Sequence, residues 1–428
     1  MKDSGIEWIG EIPESWVIRR IKTSFEIVAG ATPKSGEASY WDGDIPWITP
    51  ADYTTNDIYV SAGHKNITQE GLDSCATSLI QAGSIIFSKR APVGLVAINR
   101  NPLCTNQGCL SCIPRDSVDV KYHYYAISIY SEQFDLFASG TTFKEISADA
   151  FANFKLPYPD YTTQKQIAAY LDIKCAEIDA LIASKEKTNA LLKERRQSII
   201  YEAVTKGLDP TVPMKDSGVE WIGEIPERWR VAELKRIGTP ATGSTPSKDN
   251  PEYWDGNIPW VSSKDMKSDY LYDSEDHITE TALDECGLTI FKPGSLLFCV
   301  RSGILRHTFP VAVAMNPVTI NQDLRALSFT LEINPSYLLY YMRGMNDIIV
   351  TLYQKVGATV ESIEMDWFLH FPVVLPPIEE QNRIADILRE QCESIDKSIG
   401  KNDMLIKQLK EYRQSLIFEA VTGKIEVI

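Results

Sequence analysis

The sequence predicts an α+β chain: two similar mixed α/β domains joined by two long antiparallel coiled-coil helices, with an internal pseudo-two-fold repeat. Three observations lead there. Residues 1–16, MKDSGIEWIGEIPESW, return at 214–229 as MKDSGVEWIGEIPERW, identical at 14 of 16 positions. Each copy opens with short β-rich runs between Gly, Pro, Asn and Asp turns, such as Ser84–Phe87 and Ser295–Phe298. Each closes on a stretch whose apolar residues step by three and four, the pattern of a helical seam.

The repeat is carried by ordered blocks. At the same offset of 213, Gly30-x-Thr32-Pro33 answers Gly243-x-Thr245-Pro246, and Tyr40-Trp41-Asp42-Gly43 answers Tyr253-Trp254-Asp255-Gly256. Ile45-Pro46-Trp47 answers Ile258-Pro259-Trp260 within the same block. After small length changes Phe87-x-x-Arg90 answers Phe298-x-x-Arg301, and Asn106-Gln107 answers Asn321-Gln322. A duplication of this size is a pair of domains, not an array of short stacking repeats. The expected division is 1–160 and 214–376 for the globules, with 161–213 and 377–428 for the helices and linker. Within each globule one helix is expected, Tyr122 to Phe137 and Tyr337 to Tyr353.

The long helices follow from their seams. Thr163-x-x-Gln166 has the form of a capping box, and Ile167, Leu171, Ile178, Ile182, Leu192 and Ile199 follow it. In the second copy Pro376-Pro377 precedes Ile384, Leu388, Ile395, Ile399, Ile406, Leu409 and Leu416. Each helix should run about 44 residues, roughly 65 Å at 1.5 Å per residue. One narrow apolar stripe of that length needs a partner, and the other copy is at hand.

Composition narrows the function. The net charge of −15 argues against binding nucleic acid by bulk charge, and both globular stretches hold more acidic than basic residues. Local patches remain open to that role. No apolar run approaches the roughly 18–20 residues of a membrane span. The first residues carry no apolar signal core, so a cytoplasmic chain is expected. Eight irregularly spaced cysteines do not form a disulfide scaffold.

Catalytic motifs are lacking. Cys104, Cys109 and Cys112 have the spacing of an iron–sulfur run, but the second copy places Thr319, Leu324 and Leu327 there, residues of a packed strand. Asp160, Asp172 and Lys174 imitate a nuclease's acidic pattern, yet the repeat substitutes Pro377, Arg389 and Gln391. No phosphate-binding lysine loop, dinucleotide turn or paired metal-binding histidines occur. No catalytic residue, cofactor site or metal site is expected.

The layout resembles the specificity subunit of type I restriction-modification enzymes over essentially the whole chain. The resemblance rests on Gly-x-Thr-Pro, Tyr-Trp-Asp-Gly-x-Ile-Pro-Trp, a Pro-rich junction and a long helix ending Arg-Gln-Ser-x-Ile-x-Glu-Ala-Val-Thr, each present twice. It implies two target-recognition domains, each reading one half of a bipartite site in double-stranded DNA, with the helices as spacer. It implies two methyltransferase subunits, which bring S-adenosylmethionine and methylate adenine. Motor-nuclease subunits would bring ATP and Mg²⁺ chemistry. The chain itself would hold no cofactor and catalyse nothing. The rival reading is a non-catalytic adapter whose two globules bind protein, which the acidic charge favours.

DNA recognition needs groups for phosphates and groups for base edges. Thr32, Lys34 and Ser35, with Thr245, Ser247 and Lys248, are polar loops suited to phosphates. Arg90 and Arg301 recur at predicted strand ends, where an arginine can fork onto guanine. Asn106 and Gln107, with Asn321 and Gln322, could face adenine, although their recurrence favours a shared structural role. Places where the copies differ are better base readers. These are Lys89 beside Arg90, Ser262-Ser263 where the first copy has Thr49-Pro50, with Lys264 next to them, and Arg306.

Overall fold

A computed structural model describes residues 1–54, 58–138, 144–355 and 360–427. The chain packs as two units, 1–186 with 403–428 and 187–402. Each unit therefore owns one globule, the first part of the helix that follows it, and the last part of the other helix.

In the first unit the main sheet has five strands in the order Phe25–Ala29, Cys109–Pro114, Ile85–Ser88, Val96–Asn99 and Tyr59–Val60. All neighbours are antiparallel except the last pair. Ile85–Ser88 and Val96–Asn99 are buried at every position, as central strands covered on both faces must be. A second sheet orders Cys104–Thr105, Trp41–Ile48 and Lys65–Ile67. Trp41–Ile48 carries the Trp-Asp-Gly block, whose register slips between Trp41 and Ile45. Asp42 takes φ 60° there. A Cβ on Gly43 would stand 2.5 Å from the Ile67 carbonyl oxygen, so only glycine fits that close approach.

The second unit repeats this plan. Its five strands are Gly238–Thr242, Leu324–Phe329, Leu296–Cys299, Val311–Ala314 and Tyr270–Leu271, and its three are Asp276–Ile278, Trp254–Val261 and Thr319–Ile320. Asp255 again has φ 60° at the bulge. The α+β class and the internal repeat expected from the sequence are both present.

Two expectations need correction. The single helix expected in each globule is broken, into Val120–Ser128 and Ser131–Phe137 in one and Pro335–Gly344 and Asn346–Leu352 in the other. The chain turns at Tyr130 and at Met345, both themselves buried. The turn lets a first segment that is buried over most of its length lie in the core while the next returns towards the surface. The first long helix, Tyr161–Lys206, starts two residues before Thr163. Its cap is the Asp160 carboxylate, which accepts from the backbone N–H of Thr162 at 3.0 Å and of Thr163 at 3.1 Å. The Thr163 hydroxyl is itself spent on that cap, donating to Asp160 Oδ2 at 2.6 Å, and a carboxylate there also suits the positive end of the helix.

The second long helix is Ile378–Val421, 44 residues against 46 in the first. Within each unit the two helix segments run antiparallel. In the first, Asp179 pairs with Arg413 at 3.0 Å and Glu186 with Lys410 at 4.0 Å. Ile167, Leu171, Ile178 and Ile182 are buried there with Ile406 and Leu416. In the second, Arg196 lies 3.5 Å from Asp396. One seam position is polar: Asn402 Nδ2 donates to the buried Asn189 Oδ1 at 2.9 Å. Such a partly buried amide pair favours one register over its neighbours. Globule and helix interlock through Tyr122, whose hydroxyl donates to the carbonyls of Pro157 and Val421. Tyr337 does the same towards Val374 and Val204.

Candidate nucleic-acid interface

The recurring blocks meet in space. In the first globule Trp47 Nε1 donates to the Ala31 carbonyl at 3.0 Å and Trp41 Nε1 to that of Lys34 at 3.2 Å. The two indoles, packed edge to face at 5.1 Å, thus carry the Gly-x-Thr-Pro loop. Gly30 lies against the turn that holds Asn106: a Cβ there would stand 2.2 Å from the Asn106 carbonyl oxygen. The Thr32 hydroxyl donates to Gln107 Oε1. The second globule copies each contact, with Trp260 on Ser244, Trp254 on Ser247, and Thr245 on Gln322.

These contacts give Asn106 and Gln107 work to do in the free protein. Asn106 Oδ1 accepts the Gly108 N–H at 2.9 Å, and Asn321 Oδ1 that of Asp323 at 3.1 Å. The asparagines shape the turn, and the glutamines bind it to the threonine loop. Lys34, Ser35, Ser247 and Lys248 project from the same loops and are exposed. Among the described residues neither Lys34 nor Lys248 forms an ion pair, so both remain available to an anion.

The strand-end cations lie next to this turn. The Lys89 N–H donates to the Gly108 carbonyl at 2.9 Å, and the N–H groups of Val300 and Arg301 share the Asp323 carbonyl. Thr49 sits on the same side, its N–H and hydroxyl both donating to Asp52 Oδ2 at 2.7 and 2.8 Å. Burial alone raises the Asp52 carboxyl; hydrogen bonds from Thr49 and His64 outweigh it and hold the group below its usual range. Ser262 repeats that arrangement on Asp265 at 2.8 and 2.9 Å. An open cleft of about 610 Å³ is lined by Thr49, Pro50, Ala51, Arg90, Ala91, Asn106, Gly108 and Glu145.

The cations differ in their engagements. Glu145 joins Lys89 at 2.8 Å and Arg90 at 2.7 Å. Lys264 pairs with Asp276 at 2.8 Å and Glu275 at 3.5 Å, and Arg306 pairs with Glu361. Arg301 is exposed and forms no ion pair among the described residues. The sequence reading missed Glu145, Glu361 and Asp52. Nothing in spacing marks a carboxylate that is 55 residues from its arginine.

The suspected catalytic patterns have other occupations. Cys104, Cys109 and Cys112 sit in three separate apolar clusters, so they do not converge. Burial pushes the Cys104 thiol up to about 11 and that of Cys109 up to about 12. Asp160 caps a helix, Asp172 accepts from Lys121 and the Tyr125 hydroxyl, and Lys174 pairs with Glu177. No group of three His, Cys, Asp or Glu side chains that could hold a metal ion occurs among the described residues.

Comparison with known proteins places the chain among its relatives. The family profile described as the type I restriction modification DNA specificity domain matches twice, at residues 13–194 and 226–403. The MjaIX specificity subunit of Methanocaldococcus jannaschii is 29% identical over 427 residues, covering 98% of this chain and 95% of that one. The EcoKI specificity subunit of Escherichia coli is 22% identical, covering 97% and 90%. Among solved structures, a chain from work on complex assembly and conformational transition of the type I R-M system superposes with a TM-score of 0.69. It is 16% identical, with 97% of this chain and all of that one covered. The HsdS subunit of Thermoanaerobacter tengcongensis gives 0.52, also at 16% identity, covering 97% and 98%. With two copies of the domain across most of its length, the chain belongs to the type I restriction-modification DNA specificity family, whose members recognise DNA and do not themselves catalyse.

Proposed function

We propose that each globule reads one half of a bipartite duplex site, with residues 1–160 and 214–376 as the two target-recognition domains. One observation carries this reading. Both globules build the same platform, a Gly-x-Thr-Pro loop fastened to an Asn-Gln turn, and both set unlike cations beside it. A shared platform with unlike contacts suits two readers of different sequences on one polymer. Thr32, Lys34 and Ser35, with Thr245, Ser247 and Lys248, hold phosphates. Lys89, Arg90, Ser262, Lys264, Arg301 and Arg306 lie nearer the bases. Asn106, Gln107, Asn321 and Gln322 support the platform and meet DNA only at its edge.

The acidic total charge fits a subunit that acts within a cytoplasmic complex, where two methyltransferase subunits and motor-nuclease subunits supply further phosphate contacts. The segments 161–213 (helix and linker) and 377–428 then serve as spacer and as docking surface for the methyltransferases. No helix among the described residues is long and apolar enough to cross a membrane. The test is to co-express the chain with its methyltransferase partner and map methylated adenines. Two short fixed sequences separated by a constant unspecified gap are expected. A single continuous motif, or no sequence preference, would overturn the reading.

A further inference from the structure

We infer that Glu145 is a specificity-determining residue of the first globule, which presets Arg90 for a guanine–cytosine pair and keeps the cleft from gripping phosphates at large. This rests on the reading of that face as DNA-binding. The geometry is specific. The backbones of Arg90 and Glu145 pair across an isolated bridge, and the Ile146 N–H donates to the Lys89 carbonyl at 3.0 Å. The carboxylate is thus fixed beside both cations: Oε1 takes Lys89 Nζ at 2.8 Å and Oε2 takes Arg90 Nε at 2.7 Å.

Each contact has a consequence for recognition. Lys89 has only 15% of its side chain exposed, so it cannot swing to a phosphate while the pair holds. Arg90 has 42% exposed and donates through Nε, and among the described residues its two terminal amino groups have no partner. That pair of donors matches O6 and N7 of guanine in the major groove. A guanidinium already oriented by a carboxylate loses less freedom on docking. Glu145 also borders the cleft. Its negative charge opposes phosphate oxygens, whereas the N4 amino group of a cytosine could donate to it. Lys89, then Arg90, hold the carboxyl below its ordinary range, so it stays ionised at neutral pH.

The second globule supports the assignment by contrast. Ser362 occupies the position bridged to Arg301, and Glu361 turns instead to Arg306. The platform is shared, while the carboxylate that orients the arginine is not. That is the pattern expected where two domains read different bases.

The experiment uses the purified complex with its methyltransferase and the duplex identified by methylation mapping. Binding of wild type and Glu145→Gln is compared on that duplex and on duplexes with the first or the second half scrambled, across salt concentrations. The Gln variant should melt like wild type and bind the first-half-scrambled duplex about 10-fold more tightly, with a steeper salt dependence. Its preference at the first half should fall by about 10-fold and that at the second half stay unchanged. If wild type discriminates and the variant keeps its first-half preference within about twofold, Glu145 is a structural ion pair and the inference fails, whatever its melting temperature. If wild type itself discriminates neither half, the DNA reading fails first.

Discussion

Replacing Gly30 by alanine should detach the first globule's loop, and the structure says by how much. The new Cβ would stand 2.2 Å from the Asn106 carbonyl oxygen, 2.3 Å from that of Thr105 and 2.4 Å from Thr105 Oγ1. Real carbon–oxygen contacts lie near 3.3 Å or beyond, so backbone must separate from backbone by about an ångström. Three hydrogen bonds stand in the way: Ala31 N–H to Thr105 O at 3.0 Å, Trp47 Nε1 to Ala31 O, and Thr32 to Gln107. At about 1 kcal/mol each the loss is about 3 kcal/mol. For a unit of this size the melting midpoint should drop by roughly 6–12 °C. Gly36 in the same loop is the control, since a Cβ there meets nothing within 4 Å. Calorimetry of both variants, with adenine-methylation mapping of their complexes, checks the outcome. Gly30→Ala should lose the first half-site and keep the second, while Gly36→Ala resembles wild type. Equal behaviour of the two variants would refute the claim that Gly30 locks the platform.

Two further outcomes are expected. His123 is buried against Phe25 and Tyr122, and its Nδ1 donates to the Asp119 carbonyl at 2.9 Å. Burial pushes its pKa down to about 4 from 6.5. The unfolded chain therefore takes up a proton between those values and the folded chain does not. Stability is full above pH 6.5 and falls by about 1.4 kcal/mol per unit towards pH 4. His123→Phe should remove that slope, as urea titrations of both proteins across the window will show. Separately, seven residues added to both long helices near Lys185 and Asn402 lengthen each by roughly 10 Å, or about three base pairs. The same half-sites should be methylated across a longer gap, whereas adding two residues rotates the seam off its partner and should abolish activity.

Much of this was legible in the sequence, for physical reasons that differ by element. The duplication exposed the two-unit plan because positions kept twice are those that geometry constrains most. Gly30 and Gly243 leave no room for a side chain, and Trp47 and Trp260 each carry a loop through one N–H. The seams were visible as spacing, except at Asn189 and Asn402, where a polar pair hides inside an apolar pattern. The recurrence of Asn106-Gln107 and Asn321-Gln322 pointed to a shared structural use, and each pair does shape and fasten the same turn. Carboxylate partners were not legible. Glu145 meets Arg90 only because sheet and loop bring distant segments together, and no local pattern records that encounter. The helix breaks at Tyr130 and Met345 were equally hidden, since apolar periodicity continues through both turns.

The central claim is that each globule reads its own half-site, and a domain exchange tests it most directly. Residues 17–155 are replaced by the corresponding segment of a related subunit with a known target, leaving both long helices intact. The hybrid is co-expressed with the native methyltransferase, and methylated adenines are mapped by sequencing. The account predicts that one half of the motif changes to the donor's, while the other half and the gap stay as they were. A change in both halves, or an active complex with an unchanged motif, would contradict it.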